Sequence, residues 1–401
     1  MLAGGMTALA PQPAEAPVCL ADVRRAAEAV LPRHVLDFVE GGSGAETTLA
    51  ANRAAFDAVT LLPRVLAGVS TVDSAGALLG TSTAMPVAIA PMAYQRLLHP
   101  DGELATARAA KRAGIPFVIS TLSSCTFADI AATGASTWFQ LYWLRDRAGV
   151  IELLGAADEA GCLAVVLTAD VPVMGRRRRD MRNQFALPPD VPAVNLRHPG
   201  GQAPTEAHRA ASGASAVATH TNLAFEPGLT WRDVEWLRRR THLPLVIKGV
   251  LDPRDARHAA DCGANAVVVS NHGGRQFDGA PASIAALPAV VDAVSGDCEV
   301  LLDSGVRGGT DVLRSLAFGA SGVLVGRPVL WGLAAGGEQG VAQVLSLLQA
   351  ELLEAMTLAG CRDLAAAAGL TAAPRAGQMS TGQMSTGQMS TGQMSTGRSA
   401  S

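Results

Sequence analysis

No C-x-x-C pair and no metal-like spacing links the six cysteines of this 401-residue chain, Cys19, Cys125, Cys162, Cys262, Cys298 and Cys361. That pattern argues for reduced thiols and a cytoplasmic protein, with no disulfide framework or zinc site. Charge is sparse too. Only 17% of residues are charged and the formal net charge is -3, so no long-range field attracts nucleic acid or anionic lipid. The first sixteen residues have neither a basic start nor a continuous apolar core, so no signal peptide is expected. No apolar stretch approaches the roughly 20 residues that a membrane span needs. No G-x-G-x-x-G follows the first expected strand, which removes the usual nicotinamide fingerprint. The C-terminal segment lacks complexity: Gln-Met-Ser-Thr-Gly occurs four times from Gln378 to Gly397, a polar repeat with nothing to bury and so expected to be disordered.

Apolar residues make up 49% of the chain, enough for one barrel of roughly 250 residues with appendages. Short β-branched or apolar runs alternate with Ala-rich segments of helical period, the pattern of parallel strands joined by crossover helices. Eight strands are expected: 85–90, 115–120, 137–141, 163–168, 243–248, 265–270, 299–303 and 321–326. Eight such units make an α/β fold of the (β/α)8 TIM barrel class. The domain reading is a flexible N-terminus over 1–20, the barrel over 21–370 and a disordered tail over 371–401. Residues 21 to 80 form a helical and irregular lead-in that closes the barrel bottom or flanks the site. Between the fourth and fifth strands, Pro188 to Pro227 reads as a long loop, a candidate mobile lid.

Barrel enzymes build their sites where strands end, and the polar residues fall there. Strand by strand these are Ala90-Pro91-Met92-Ala93, Ser120, Gln140 with Tyr142, Thr168 with Asp170, Lys248, Ser270-Asn271-His272 with Arg275, Asp303 with Arg307, and Gly326-Arg327. A mouth with so many cations needs anionic ligands to offset them. The turn Gly305 to Gly309 and Gly326-Arg327 stand where such barrels bind phosphate. The run Arg176 to Arg179 has no interleaved aromatics, so two or three of these arginines are expected to face solvent or a subunit, with no role in nucleic-acid binding.

Ser270 to Gln276 (SNHGGRQ), Ile247 to Val250 (IKGV), Thr168 to Pro172 with Gly175-Arg176-Arg177, and Gly322 to Pro328 resemble the FMN-dependent 2-hydroxy acid oxidases and dehydrogenases. That family includes glycolate oxidase, lactate oxidase, mandelate dehydrogenase and, most similar in pattern, the 4-hydroxymandelate oxidases of actinobacterial antibiotic pathways. The resemblance runs from about Ala21 to Leu364 and implies FMN as cofactor and a tetramer or octamer. Removing the Cα proton of a 2-hydroxy acid needs a base, cationic anchors for the carboxylate and an electron sink. His272 is the expected base, with Asp170 raising its pKa. Arg275 and Arg177 are the expected carboxylate anchors, and Tyr142 the partner of the substrate hydroxyl. The resemblance places Lys248 by the flavin N1 and O2 edge, Ala93 against N5, and Ser120, Gln140 and Thr168 on the ring. It assigns Ala90, Pro91, Met92 and Ser270 to the cofactor shell, and Asp303, Ser304, Gly305, Arg307, Gly326 and Arg327 to the ribityl and phosphate region.

Two positions depart from the glycolate oxidases. Phe38 stands where they carry a tyrosine that contacts the carboxylate, and Leu122 stands near their bulky tryptophan. Both changes make the pocket larger or more apolar, which favours an aryl substrate such as (S)-mandelate or (S)-4-hydroxymandelate over glycolate or lactate. With no haem attachment motif and a polar fourth loop in place of a membrane anchor, dioxygen is the simplest acceptor and hydrogen peroxide the expected product. The alternatives are a quinone- or carrier-linked dehydrogenase, an aliphatic hydroxy acid oxidase, or a flavin-binding scaffold without activity.

Overall fold

The computed structural model describes residues 16–196, 206–209 and 215–374. The repeat tail, most of the N-terminal segment and parts of the long fourth loop lie outside the described residues. Eight strands close into a parallel barrel: β1 (Val87–Ile89), β2 (Phe117–Ser120), β3 (Thr137–Tyr142), β4 (Val165–Thr168), β5 (Leu245–Val250), β6 (Ala266–Val269), β7 (Glu299–Leu302) and β8 (Gly322–Val325). Closure runs through β8 and β1, with Val323 opposite Val87 and Val325 opposite Ile89. Every expected strand is present.

Alternation along these strands divides the core in two. Ala88, Val118, Trp138, Ala164, Val166, Val246, Ala266, Val268, Leu301 and Leu324 face inward; the opposite faces pack against the helices. Trp138, fully buried, is the largest of these inward side chains. The lead-in seals the bottom. A hairpin pairs Gly76–Leu78 with Thr81–Thr83 through Leu79 and Gly80, both at positive φ, as a two-residue turn of this hand requires. Leu78 joins the inward cluster, and the Leu79 N–H donates to the Glu299 carboxylate at 3.0 Å.

Three helices precede the barrel: α1 (Leu20–Val30), α2 (Arg33–Glu40) and α3 (Thr47–Ala58). α2 turns Val35, Phe38 and Val39 inward and lies beside the mouth, so the lead-in both closes the bottom and flanks the site. Within the expected loop, Ala216–Ala224 is a helix, which corrects that reading. Its buried face is Ala216, Val217, His220 and Thr221, too short and mixed to show a strong period; packing rather than local pattern holds it.

The helix Arg327–Ala359 is long and apolar enough to cross a membrane by length and composition alone. However, Val341, Val344, Leu345, Leu348, Leu352 and Met356 along it are buried in the chain's own core, and the backbone is kinked at Gly336 and Gly337. It is a core helix.

Candidate active site

The carboxyl ends of the strands surround an open cleft. Ala90, Pro91, Met92, Ala93, Ser120, Leu122, Tyr142, Thr168, Arg177, Lys248, His272, Arg275, Asp303, Ser304, Gly305, Arg307, Gly326, Arg327 and Phe38 all line it. Asp170, Gln140 and Ser270 stand behind the lining and hold it.

His272 projects from a strained turn. Its φ of 58° is left-handed, a conformation that costs a non-glycine residue about 1–3 kcal/mol. Its own N–H, donating to Ser270 Oγ at 3.0 Å, and the Asn271 side chain, accepting from the Gly274 N–H at 3.0 Å, hold the turn. Gly274 cannot be replaced here, because a Cβ would lie 2.6 Å from the Leu49 backbone. On the ring, Nδ1 lies 3.0 Å from Asp170 Oδ1. Asp170 is fixed by its own carbonyl, which accepts from Gln276 Nε2 at 2.9 Å, and by Gly249, where a Cβ would come within 2.6 Å of the Asp170 side chain.

Burial pushes the His272 pKa down, Asp170 pulls it up, and Lys248 and Arg177 push it down again, leaving it below the ordinary value. The expectation of a raised pKa is corrected: the Asp170 pull has the expected sign, but burial beside two cations outweighs it. For Asp170, burial pushes upward, yet the His272 contact and Lys248 hold the carboxyl below its usual range. The pair is a neutral or positive imidazole beside a carboxylate.

Arg177 and Arg275 stand on the same side. Burial, then Arg275, pushes Arg177 down to about 9, still charged at neutral pH, and its buried Nε has no partner. Arg275 Nη1 donates to the carbonyls of Phe38, Val39 and Gly41 at 2.9, 3.3 and 2.7 Å, which ties the end of α2 to the cleft. Phe38 stacks on Phe185 at 4.5 Å, and Tyr142 stacks on Phe225 at 4.5 Å. Of the arginine run, Arg177 is buried, Arg179 pairs with Glu46 and Asp37, and Arg176 and Arg178 are exposed.

At the floor of the cleft Lys248 Nζ pairs with Asp303 Oδ2 at 2.9 Å and donates to Ser270 Oγ at 3.0 Å. Burial pushes Lys248 down, but Asp303 and Asp170 raise it above its ordinary value. The other Asp303 oxygen accepts from Ser304 Oγ at 2.7 Å, so both are engaged within the protein. Arg307 is pushed down to about 10, chiefly by burial, and Arg327 well down by burial and then by Arg275 and Arg307. Such crowding of cations suits a phosphate group. Ser120 Oγ donates to Gln140 Oε1 at 3.2 Å, while Gln140 Nε2 and Thr168 Oγ1 are buried without partners. A polar ring edge over the floor satisfies both, and the donor set fits FMN.

Several lining residues were not singled out by the sequence: Val39, Tyr94, Leu98, Met174, Val217 and Leu330. They are mostly apolar, and nothing in a single sequence separates an apolar pocket wall from core. Val217 reaches the cleft only because the long fourth excursion folds a helix over the mouth.

The comparisons with known proteins agree with this geometry. Residues 27–371 match the model of the FMN-dependent dehydrogenase family. A 4-hydroxymandelate oxidase from Amycolatopsis orientalis is 54% identical over 350 residues, covering 87% of this chain and 96% of that protein. An L-lactate oxidase from Nostoc sp. is 47% identical, covering 87% and 96%. A crystal structure of mandelate oxidase with (S)-4-hydroxymandelic acid superposes with a TM-score of 0.86 at 53% identity, covering 89% of this chain and 99% of that one. Coverage on this scale, at this identity, shows that the chain belongs to the FMN-dependent dehydrogenase family of 2-hydroxy acid oxidases, with FMN as its cofactor.

Proposed function

We propose that this enzyme oxidises an (S)-2-hydroxy acid bearing an aryl group, (S)-mandelate or (S)-4-hydroxymandelate, to the 2-oxo acid, with dioxygen reduced to hydrogen peroxide. The observation that carries the reading is the composition of the cleft lining. Phe38, Leu98, Leu122, Met174 and Val217 are apolar residues lining the same cleft as His272, Arg177 and Arg275. A phenyl ring there gains a few kcal/mol of apolar burial, whereas the hydrogen of glycolate or the methyl of lactate leaves it largely empty.

The chemistry follows from the remaining side chains. Arg177 and Arg275 clamp the substrate carboxylate and set the reacting carbon before His272. Tyr142 holds the substrate hydroxyl. His272 takes the Cα proton, and Asp170 stabilises the imidazolium that results. Bound FMN supplies the sink for the two electrons released, which then pass to dioxygen. Lys248 places a fixed positive charge at the floor, and Arg307 and Arg327 hold the phosphate end. We place this enzyme in the cytoplasm, on the strength of its six free thiols, and read it as a homo-oligomer by family resemblance.

An aliphatic substrate is the second reading, favoured by the 47% identity to an L-lactate oxidase. Peroxide release separates the two. With glycolate, L-lactate, (S)-mandelate and (S)-4-hydroxymandelate compared at one pH, kcat/KM is highest for an aryl acid; an aliphatic acid that equals both aryl acids contradicts the proposal. Oxidation of the aryl acids with an artificial acceptor but no peroxide in air contradicts the oxidase half alone.

A further inference from the structure

The chain has only two tyrosines, and both line the cleft. Tyr142 is accounted for above; Tyr94 is not. It is 1% exposed, and its hydroxyl has no hydrogen-bond partner. A buried hydroxyl without a partner is costly, and phenylalanine at the same position would avoid that cost.

Tyr94 is held firmly. Its φ is 55°, its N–H donates to the Leu122 carbonyl at 3.0 Å, and its carbonyl accepts from the Leu97 N–H at 2.9 Å. The second loop of the barrel thus fixes Tyr94 beside Leu122, in the cleft that Leu98, Met174 and Val217 also line. None of those four side chains offers a donor, and the one weak acceptor among them, Met174 Sδ, already accepts from Thr221 Oγ1 at 3.5 Å. Burial, and then the neighbouring Tyr142 phenol, push the Tyr94 hydroxyl up, so it stays protonated and able both to donate and to accept.

We infer that the Tyr94 hydroxyl pairs with a polar substituent on the substrate's aryl ring, so that this residue distinguishes a 4-hydroxyaryl acid from a plain aryl acid. The inference rests on the aryl-acid reading above. A 2-hydroxy acid whose carboxylate is held by Arg177 and Arg275 presents its ring to the apolar lining, where the Tyr94 hydroxyl is a buried group without a partner that a ring hydroxyl can meet.

The test is Tyr94→Phe, read as the ratio of kcat/KM for (S)-4-hydroxymandelate to that for (S)-mandelate. The ratio is expected to fall roughly tenfold in the variant, the size of one lost hydrogen bond. Kd values for 4-hydroxybenzoylformate and benzoylformate, taken from the flavin absorbance change on binding, should shift in the same proportion. That readout does not depend on turnover. An unchanged ratio in both measurements overturns the assignment of Tyr94 and leaves the aryl-acid reading standing. If wild type oxidises neither aryl acid, the aryl-acid reading falls, and the Tyr94 assignment falls with it.

Discussion

Asp170 Oδ1 lies 3.0 Å from His272 Nδ1, and this contact decides which ring nitrogen faces the chemistry. With Nδ1–H donating to the carboxylate, Nε2 keeps its lone pair and serves as the acceptor. In Asp170→Asn the amide can donate to Nδ1 instead, which moves the ring proton to Nε2 and blocks the base. Flavin reduction should slow by roughly 10²- to 10⁴-fold. The pH dependence moves as well. Asp170 is the group that pulls the His272 pKa up, so without it the acid limb of residual kcat/KM shifts to lower pH. A shift to higher pH, or a rate within tenfold of wild type, would show that the carboxylate does not orient the ring.

Arg275 anchors two things. It faces the substrate region, and Nη1 ties down the carbonyls of Phe38, Val39 and Gly41. Arg275→Met should raise KM and lower kcat together, by about 2–5 kcal/mol in kcat/KM, and should also lower the melting temperature. Steady-state kinetics and a thermal melt check both. Lost stability with unchanged kinetics would make Arg275 a purely structural residue.

The Lys248–Asp303 pair is buried on both sides, so removing one partner leaves the other charge stranded. Lys248→Met should destabilise the protein freed of FMN by about 3–5 kcal/mol, and Lys248→Met/Asp303→Leu should recover much of the loss. The sign with pH is fixed by the raised folded pKa of Lys248. Its stabilisation is complete below the unfolded lysine value and disappears only as pH rises through the folded one. Denaturant titrations should therefore show a constant deficit for the single variant from about pH 8 to 9, above the range in which His272, whose pKa Lys248 lowers, titrates.

Strand positions and the polar residues at strand ends were legible because both follow from local pattern: continuous apolar runs of strand length, and side chains just beyond them. His272 was legible for the same reason, since Asn271, Gly273 and Gly274 around it build a turn that few sequences specify. The helix Ala216–Ala224 was not, because its buried face is only four residues, two of them the polar His220 and Thr221, and exists through packing. Nor could sequence show that Asp303 is the counter-ion of Lys248, or that burial beside Lys248 and Arg177 outweighs Asp170 at His272. Those depend on distances between residues far apart in the chain. Tyr94 stayed hidden because an unpaired hydroxyl is visible only once its surroundings are.

The most direct measurement is the anaerobic bleaching of bound flavin by (S)-mandelate in wild type and His272→Ala. Both proteins should be yellow and bind FMN equally, since the phosphate-end cations Arg307 and Arg327 are untouched. Wild type should bleach rapidly and recolour in air, while the variant should bleach slower by several orders of magnitude because proton abstraction loses its base. Bleaching of the variant within tenfold of wild type would contradict the assignment of His272 as the base.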